Sequence, residues 1–447
     1  MTGNHQGDTQ QLVGQFEAFA SNGASSAPAW LRRKREQAIQ RFAELGFPTT
    51  KQENWRFTSV RPIAEQVFTL SAETATLVPE QLDPFFLPMT GGIRLVFVNG
   101  AFAERLSSIP ELADGVVICP LSAALDEHGD LVKEHLGTYA PIDDNPFAAL
   151  NTAFASDGLF AHVPADTKVD QLLEVVYFTT SGDEPTMSHP RSLVVLERGA
   201  SIRLVETYGG VSGRPYLTNA VTEIVVGDNA RADCYRIQRE GDQAYHVATT
   251  HSRQVRDSVY SETAIVLGAA LSRHDIWMAM AGEGGEGTLN GLYLADGRQH
   301  MDHSTVIEHA VPHCNSHEYF NGIIGDQSRA VFNGRIIVRR GAQKTDSKQT
   351  NNNLLLSENA RADSQPQLEI YADDVRCTHG ATLGPLDDSA LFYLQSRGIS
   401  AESARALLTY GFGIEILDRV KVPELREQID SLVKARLAAL ERRRGVA

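Results

Sequence analysis

Cysteine is scarce in this sequence: Cys119, Cys234, Cys314 and Cys377 are the four in 447 residues. Thiols so few and so widely spaced exclude the disulfide framework of a small secreted domain and fit a reducing compartment. Long apolar runs are missing as well, and no segment reaches the roughly 18 consecutive apolar residues of a membrane span. Lysine and arginine (41) are outnumbered by aspartate and glutamate (56), for a formal charge of -15. That deficit argues against a nucleic-acid partner, because such proteins use Lys and Arg to displace counterions from phosphate. The opening residues MTGNHQGDTQQLVGQFEAFASNGASSAP have neither the basic start nor the apolar stretch of a secretory signal. A cytoplasmic protein with no membrane association is expected. There is no GxxxxGK[ST] phosphate loop and no GxSxG, and GEGGEG at 282–287 lies in a polar loop without a strand-to-helix context.

The remaining composition, 42% hydrophobic and 22% charged, is that of an ordinary globular protein. Its length allows several structural units. Residues 1–28, rich in Gly, Ser, Ala, Gln and Asn, read as a mobile N-terminal segment. Residues 29–155 read as an N-terminal helical or α/β region: WLRRKREQAIQRFAELG places Leu31, Ala38, Phe42 and Leu45 on one helical face, with Gly46 as the stop.

From 156 to 388 the texture changes to short apolar alternations broken by Gly, Asn and Asp, as in SLVVLERGASIRLVETY and AVTEIVVGDNARADCYRI. Strands dominate. The bends carry small residues (Gly199-Ala200, Asn229-Ala230, Gly268-Ala269, Asn359-Ala360) in place of the Asn-Gly or Asp-Gly pairs that hairpins favour. This favours a β-solenoid over a sandwich or barrel, with Asn351-Asn352-Asn353 suited to its interior. Residues 389–447 return to a helical period. Ser389 to Gly398 and Ser400 to Gly411 read as capped helices, and VPELREQIDSLVKARLAALERRR sets Leu425, Ile429, Leu432, Leu437 and Leu440 along one stripe. That stripe either packs on the end of its own solenoid or docks another protein.

Two concentrations of chemistry stand out. In DDVRCTHGATLGPLDD, Cys377 and His379 would share one face of an extended strand, about 6–7 Å apart. One metal could touch both, but a closed site has four ligands and this motif supplies two, so the others must come from elsewhere; a buried Cys beside a hydrogen-bonded His is the reading that the spacing alone favours. In QHMDHSTVIEHAVPHCNSH, His300, His303, His309, His313 and His317 accompany Cys314. Pro312 spoils a helical pair, no HExxH is present, and His303, Thr305, Ile307 and His309 would share one strand face; histidines bonding between strands are expected here rather than a metal site. A metal-storing or cupin-like oxygenase is the rival that this cluster would serve.

Residues 333–408 carry KTDSKQ, NLLLS, PQLEIYADDV, CTHGAT and FYLQSRGI in order, and WRFTSV lies near the N-terminus. In these motifs the chain resembles the SufD branch of the SufB/SufD family, components of the Suf iron-sulfur cluster assembly system. The resemblance covers nearly the whole chain and is thinnest between residues 70 and 160. It implies a right-handed parallel β-helix core flanked by N-terminal and C-terminal helical regions, and a non-catalytic subunit pairing with SufB and binding the ATPase SufC. Docking of SufC would fall on Phe392, Tyr393, Arg397, Gly398 and Ile399. SufB-like chains carry a cluster-building cysteine where this chain has Asn351-Asn352-Asn353, acidic residues around the histidine matching His379, and a cysteine after the FY preceding Leu394; all are missing here. The resemblance therefore implies that His379 and Cys377 lie at the SufB interface and help form a nascent iron-sulfur cluster or hold iron. No cofactor is expected to stay bound to the isolated chain, which could pair with a second copy through the same surface. The alternative is a β-helix carbohydrate-active enzyme.

Overall fold

Strands whose alternate side chains are buried need a partner above and below, and here each finds it one turn of the chain away. The computed structural model describes residues 5–21, 27–70, 79–89, 91–180 and 184–445. Its core is a parallel β-solenoid of about eight turns, with one strand of each turn in an 11-stranded sheet and the next in a 10-stranded sheet. Along the first sheet Leu271 pairs with His300, His300 with Arg329 and Arg329 with Arg361, all parallel. Such stacking puts inward side chains into columns that run the length of the coil. Ala200, Ala230, Ala269 and Ala360, at the bends, are all buried, so a methyl group fills each inner corner.

The two ends of the coil differ. At the N-terminal end Ala101–Phe102 and Val117–Pro120 pair antiparallel with Ile93–Val98 and Leu159–Val163, which closes both sheets off from further parallel addition. The N-terminal region thus contributes strands to the solenoid itself. At the other end Arg361–Ile370 and Arg376–Gly384 are the terminal strands of the two sheets. Ala330, Phe332 and Ile336, one turn before, are buried; Ala362, Ser364 and Leu368, stacked on them in that order, are only half-buried. Ile370 and Leu383 are 40% and 56% exposed.

The helices are α1 (His5–Ser21), α2 (Ala29–Leu45), α3 (Arg61–Ala64), α4 (Leu121–Glu127), α5 (Gly129–His135), α6 (Pro146–Phe154), α7 (Asp388–Ser396), α8 (Ala401–Leu417) and α9 (Pro423–Gly445). The expectation of a mobile segment over residues 1–28 is corrected by α1. Leu12 and Phe16 recur at helical spacing within the polar string, and Phe16 meets Phe154 edge-on at 5.8 Å. Residues 1–4 and 22–26 of that segment lie outside the described residues. α1, α2 and α6 cover the outer face of the 11-stranded sheet through Phe42, Phe147 and Leu150 against Met187, Leu217, Val247 and Leu271. WRFTSV pins this layer: the Arg273 guanidinium lies 3.8 Å from the Trp55 ring centroid, and Thr58 Oγ1 bonds the carboxylate of Asp302 and His300 Nε2.

The C-terminal helices lie on the outer face of the 10-stranded sheet. Leu425, Ile429, Val433, Leu437 and Leu440 bury against Ile265, Leu292, Leu294 and Ile323, with Leu432 half-buried beside them. The stripe therefore packs on a side wall of its own solenoid. Two boundaries differ from expectation. Asp387, whose carboxylate accepts from Ser389 N, caps α7 in place of Ser389. α8 runs through Gly411 to Leu417, because Ile416 and Leu417 beyond it are buried against the outer face of the 10-stranded sheet. Ser400 does cap α8, accepting from Ser403 N at 3.1 Å.

The interior also holds polar columns. Glu318 is buried 2.6 Å from Gln349 Nε2, and Gly334 of the facing sheet leaves room for that amide, since a Cβ there would stand 2.2 Å from it. Burial pushes the Glu318 carboxyl up to about 7, with Thr305 and Gln349 partly offsetting it. A raised carboxyl pKa contributes stability that is complete below the usual value of 4.5 and lost as pH rises through about 7. Glu318→Gln is expected to flatten the pH dependence of the urea midpoint between these values, removing a loss of up to about 3 kcal/mol; an unchanged slope would show that Glu318 ionises freely.

Candidate functional site

Among the described residues the strand Arg376–Gly384 pairs on one side only, with Asp346–Leu355. Its register places Cys377 over Ser347 and His379 over Gln349. Ser347 and Gln349 point into the coil and are 1% exposed. Cys377 and His379 therefore end two interior columns, on a turn that nothing covers among the described residues. Cys377 is half-buried and packs against the edge of the core; His379 is exposed. Both side chains lie on the same face of the strand, as their spacing predicts.

Each column is hydrogen-bonded beneath its end. Below Cys377, Ser347 Oγ lies 2.7 Å from Ser316 Oγ, which lies 2.9 Å from His309 Nε2. Below His379, Gln349 donates to Glu318. Burial, and then the nearby carboxylate of Asp346, raise the Cys377 thiol. The resting group is thus a thiol, and binding a metal would release its proton. Among the described residues no group of three or more His, Cys, Asp or Glu side chains converges to hold a metal. A metal held by this thiol and imidazole would need further ligands from elsewhere.

The histidine-rich stretch disperses. His303 and His309 point inward and are buried, with His303 between the rings of Tyr293 and Phe320; burial pulls both imidazoles down to about 4. His300 faces outward to Thr58, His313 sits in a bend with φ 61°, and His317 is exposed on the opposite sheet. His303, Thr305, Ile307 and His309 do share one face. A cleft of about 440 Å³ lies elsewhere again, on the outer face of the 11-stranded sheet between Trp55, Tyr139, Arg253, Trp277 and Arg335. No motif had marked it; its signal is the outward column His251, Trp277 and Arg335, which only the register assembles.

At the foot of this end α7 exposes Phe392 (73%) and Tyr393 (57%), with Arg397 over the Tyr393 ring at 5.4 Å. Gly398, at φ 85°, turns the chain and Ile399 is half-buried before α8. No α7 side chain is buried.

Family models match two adjoining stretches: the SUF system FeS cluster assembly SufBD core domain over residues 177–412, and the SufBD protein N-terminal region over residues 6–175. The chain belongs to the SufBD family. An iron-sulfur cluster assembly SufBD family protein of Synechocystis sp. is 34% identical over 419 residues, 91% of each chain. The iron-sulfur cluster assembly protein SufD of Escherichia coli is 30% identical over 421 residues, 94% of this chain and 95% of its own. SufD of Bacillus subtilis is 27% identical over 420 residues. The SufD-type resemblance in the sequence is thus met across the whole SufBD chain, and a carbohydrate-active enzyme is not favoured. Among the described residues no helix is long and apolar enough to cross a membrane.

The raised thiol can be tested directly. Alkylation of Cys377, followed on its own peptide by mass spectrometry, should be slow near about pH 8 and steepen above it, with Asp346→Asn speeding it about twofold. Equal rates in the two proteins would remove Asp346 as a cause.

Proposed function

We propose that this SufBD-family chain is a non-catalytic scaffold subunit of an iron-sulfur cluster assembly complex. In this reading its open end pairs edge to edge with a SufB-type paralogue, and His379 with Cys377 contributes to holding iron and sulfide at the join. A SufC-type ATPase docks on α7 and the start of α8 through Phe392, Tyr393, Arg397, Gly398 and Ile399, and its ATP hydrolysis drives opening of the join. The observation that carries the reading is the juxtaposition of Cys377 and His379 on a terminal strand with one free edge among the described residues: a thiol and an imidazole where another chain could supply further ligands. The half-exposed layer of Leu368, Ile370 and Leu383 supports pairing through this end, since a further turn would bury it. The exposed aromatic pair on α7 supports a partner there. The nascent cluster is cargo in this reading, and the isolated chain retains none; it pairs with a second copy through the same end when no paralogue is present.

Co-expression with SufB-type and SufC-type partners tests the roles. His379→Ala should lower cluster formation on the order of tenfold, and Cys377→Ser by less. Undiminished assembly in His379→Ala would remove that residue from the mechanism. Phe392→Asp with Tyr393→Asp should abolish co-purification of the ATPase while leaving the paralogue bound; retention of the ATPase would move the docking site off α7.

A further inference from the structure

The outer face of the terminal strand is tied to α8 by a continuous set of side-chain hydrogen bonds. Asn321, Asn352 and Thr382 stand one above another in parallel register, all pointing out of the 10-stranded sheet. Thr382 Oγ1 donates to Asn352 Oδ1 at 2.7 Å, and Asn352 Nδ2 donates to Asn321 Oδ1 at 3.1 Å and to Tyr319 Oη at 3.2 Å. Tyr319 Oη in turn donates to Glu415 Oε2 at 2.6 Å, and Asn321 Nδ2 to the Phe412 carbonyl at 3.0 Å. Glu415 and Phe412 belong to α8. The Arg419 guanidinium, 4.4 Å from the Tyr319 ring centroid, holds that ring from its other side.

Thr382 stands on the strand whose inner face carries Cys377 and His379, and among the described residues that strand has one neighbour. Its side-chain bond to Asn352 therefore adds to a single backbone ladder. The same strand leads through Pro385, Leu386 and Asp387 into α7, and a cavity of about 360 Å³ separates Thr382 and Leu383 from Ala390, Leu408 and Phe412. α7 has no buried side chain to anchor it, and the space beneath gives the helix pair somewhere to move. Neighbouring amides and hydroxyls in register can exchange these bonds for bonds to water.

We propose that the ladder Thr382–Asn352–Asn321/Tyr319–Glu415 carries displacement of α7 and α8 to the strand bearing Cys377 and His379. Asn352 and Glu415 are its positioning residues. The ladder latched, the terminal strand is held flat on its neighbour; the ladder broken at α8, the strand is freed although nothing touching it has changed. The inference rests on the proposed function for its consequence, because only there do the docking helices and the ligand pair work together.

Hydrogen exchange on the full, unassembled chain tests it without iron or partners. Glu415→Ala, which removes a contact only at the α8 end, should speed amide exchange of residues 376–384 on the order of fivefold, the loss of one net hydrogen bond. Tyr319→Phe should do the same with one atom deleted, and the strand Tyr216–Val226 should be unchanged in both as a control on folding. Thr382→Val combined with Glu415→Ala should exchange no faster than Thr382→Val alone, since both cut one ladder. Faster exchange confined to α8 and its contacts, or effects that multiply in the double variant, would overturn the coupling. Because exchange is read without cluster assembly, failure of His379→Ala to impair assembly would strike the proposed function and leave the ladder standing.

Discussion

In-register parallel stacking governs this molecule. Each turn buries its inward side chains only because another turn lies over them, so Phe332 is shielded where Leu368 and Ser364, one turn on, are not. A coil built this way has no internal means of finishing; it must be capped or left open. The N-terminal end is capped by reversal, with antiparallel strands consuming the free edges. The C-terminal end is left with two strands that each pair on one side only among the described residues, and Cys377 and His379 fall on one of them.

The same stacking explains why the interior is not uniformly apolar. A polar residue on one turn can be satisfied by a polar residue directly above it, so serines, glutamines and carboxylates persist in columns where isolated ones would be costly. Ser316 under Ser347 and Glu318 under Gln349 follow this pattern, and the two columns surface at Cys377 and His379. Glu318 pays for its burial with a high pKa, having an amide for a partner and no cation. On the outer face the rule repeats with Asn321, Asn352 and Thr382, and there it meets a helix.

The flanking helices are matched to the two walls rather than to the ends. α1, α2 and α6 cover one sheet through aromatic contacts, and α8 and α9 cover the other through leucine, isoleucine and valine. Both layers leave the open end clear, and α7 projects beside it with its aromatic residues in solvent. A partner on α7 and a partner on the terminal strands would therefore be neighbours.

Local pattern was enough to read much of this. Period-two alternation with small bend residues specified a solenoid, because Ala200, Ala230 and Ala360 suit a buried corner and not a hairpin tip. The spacing of Cys377 and His379 put both on one face of one strand. Where the reading went astray, the deciding force was burial at a distance: Leu12 and Phe16 make a helix of a polar segment once Phe154 is there to receive them, and α8 passes Gly411 because Leu292 and Ile323 reward its continuation. Sequence by itself determined the repeating strand and the shared face of Cys377 and His379, since both depend on alternation along a few neighbouring residues. Which turn was last, what lay beneath Cys377 and His379, and which helix reached the outer face of their strand were decided only in three dimensions, because register joins residues some thirty positions apart and no local preference encodes it.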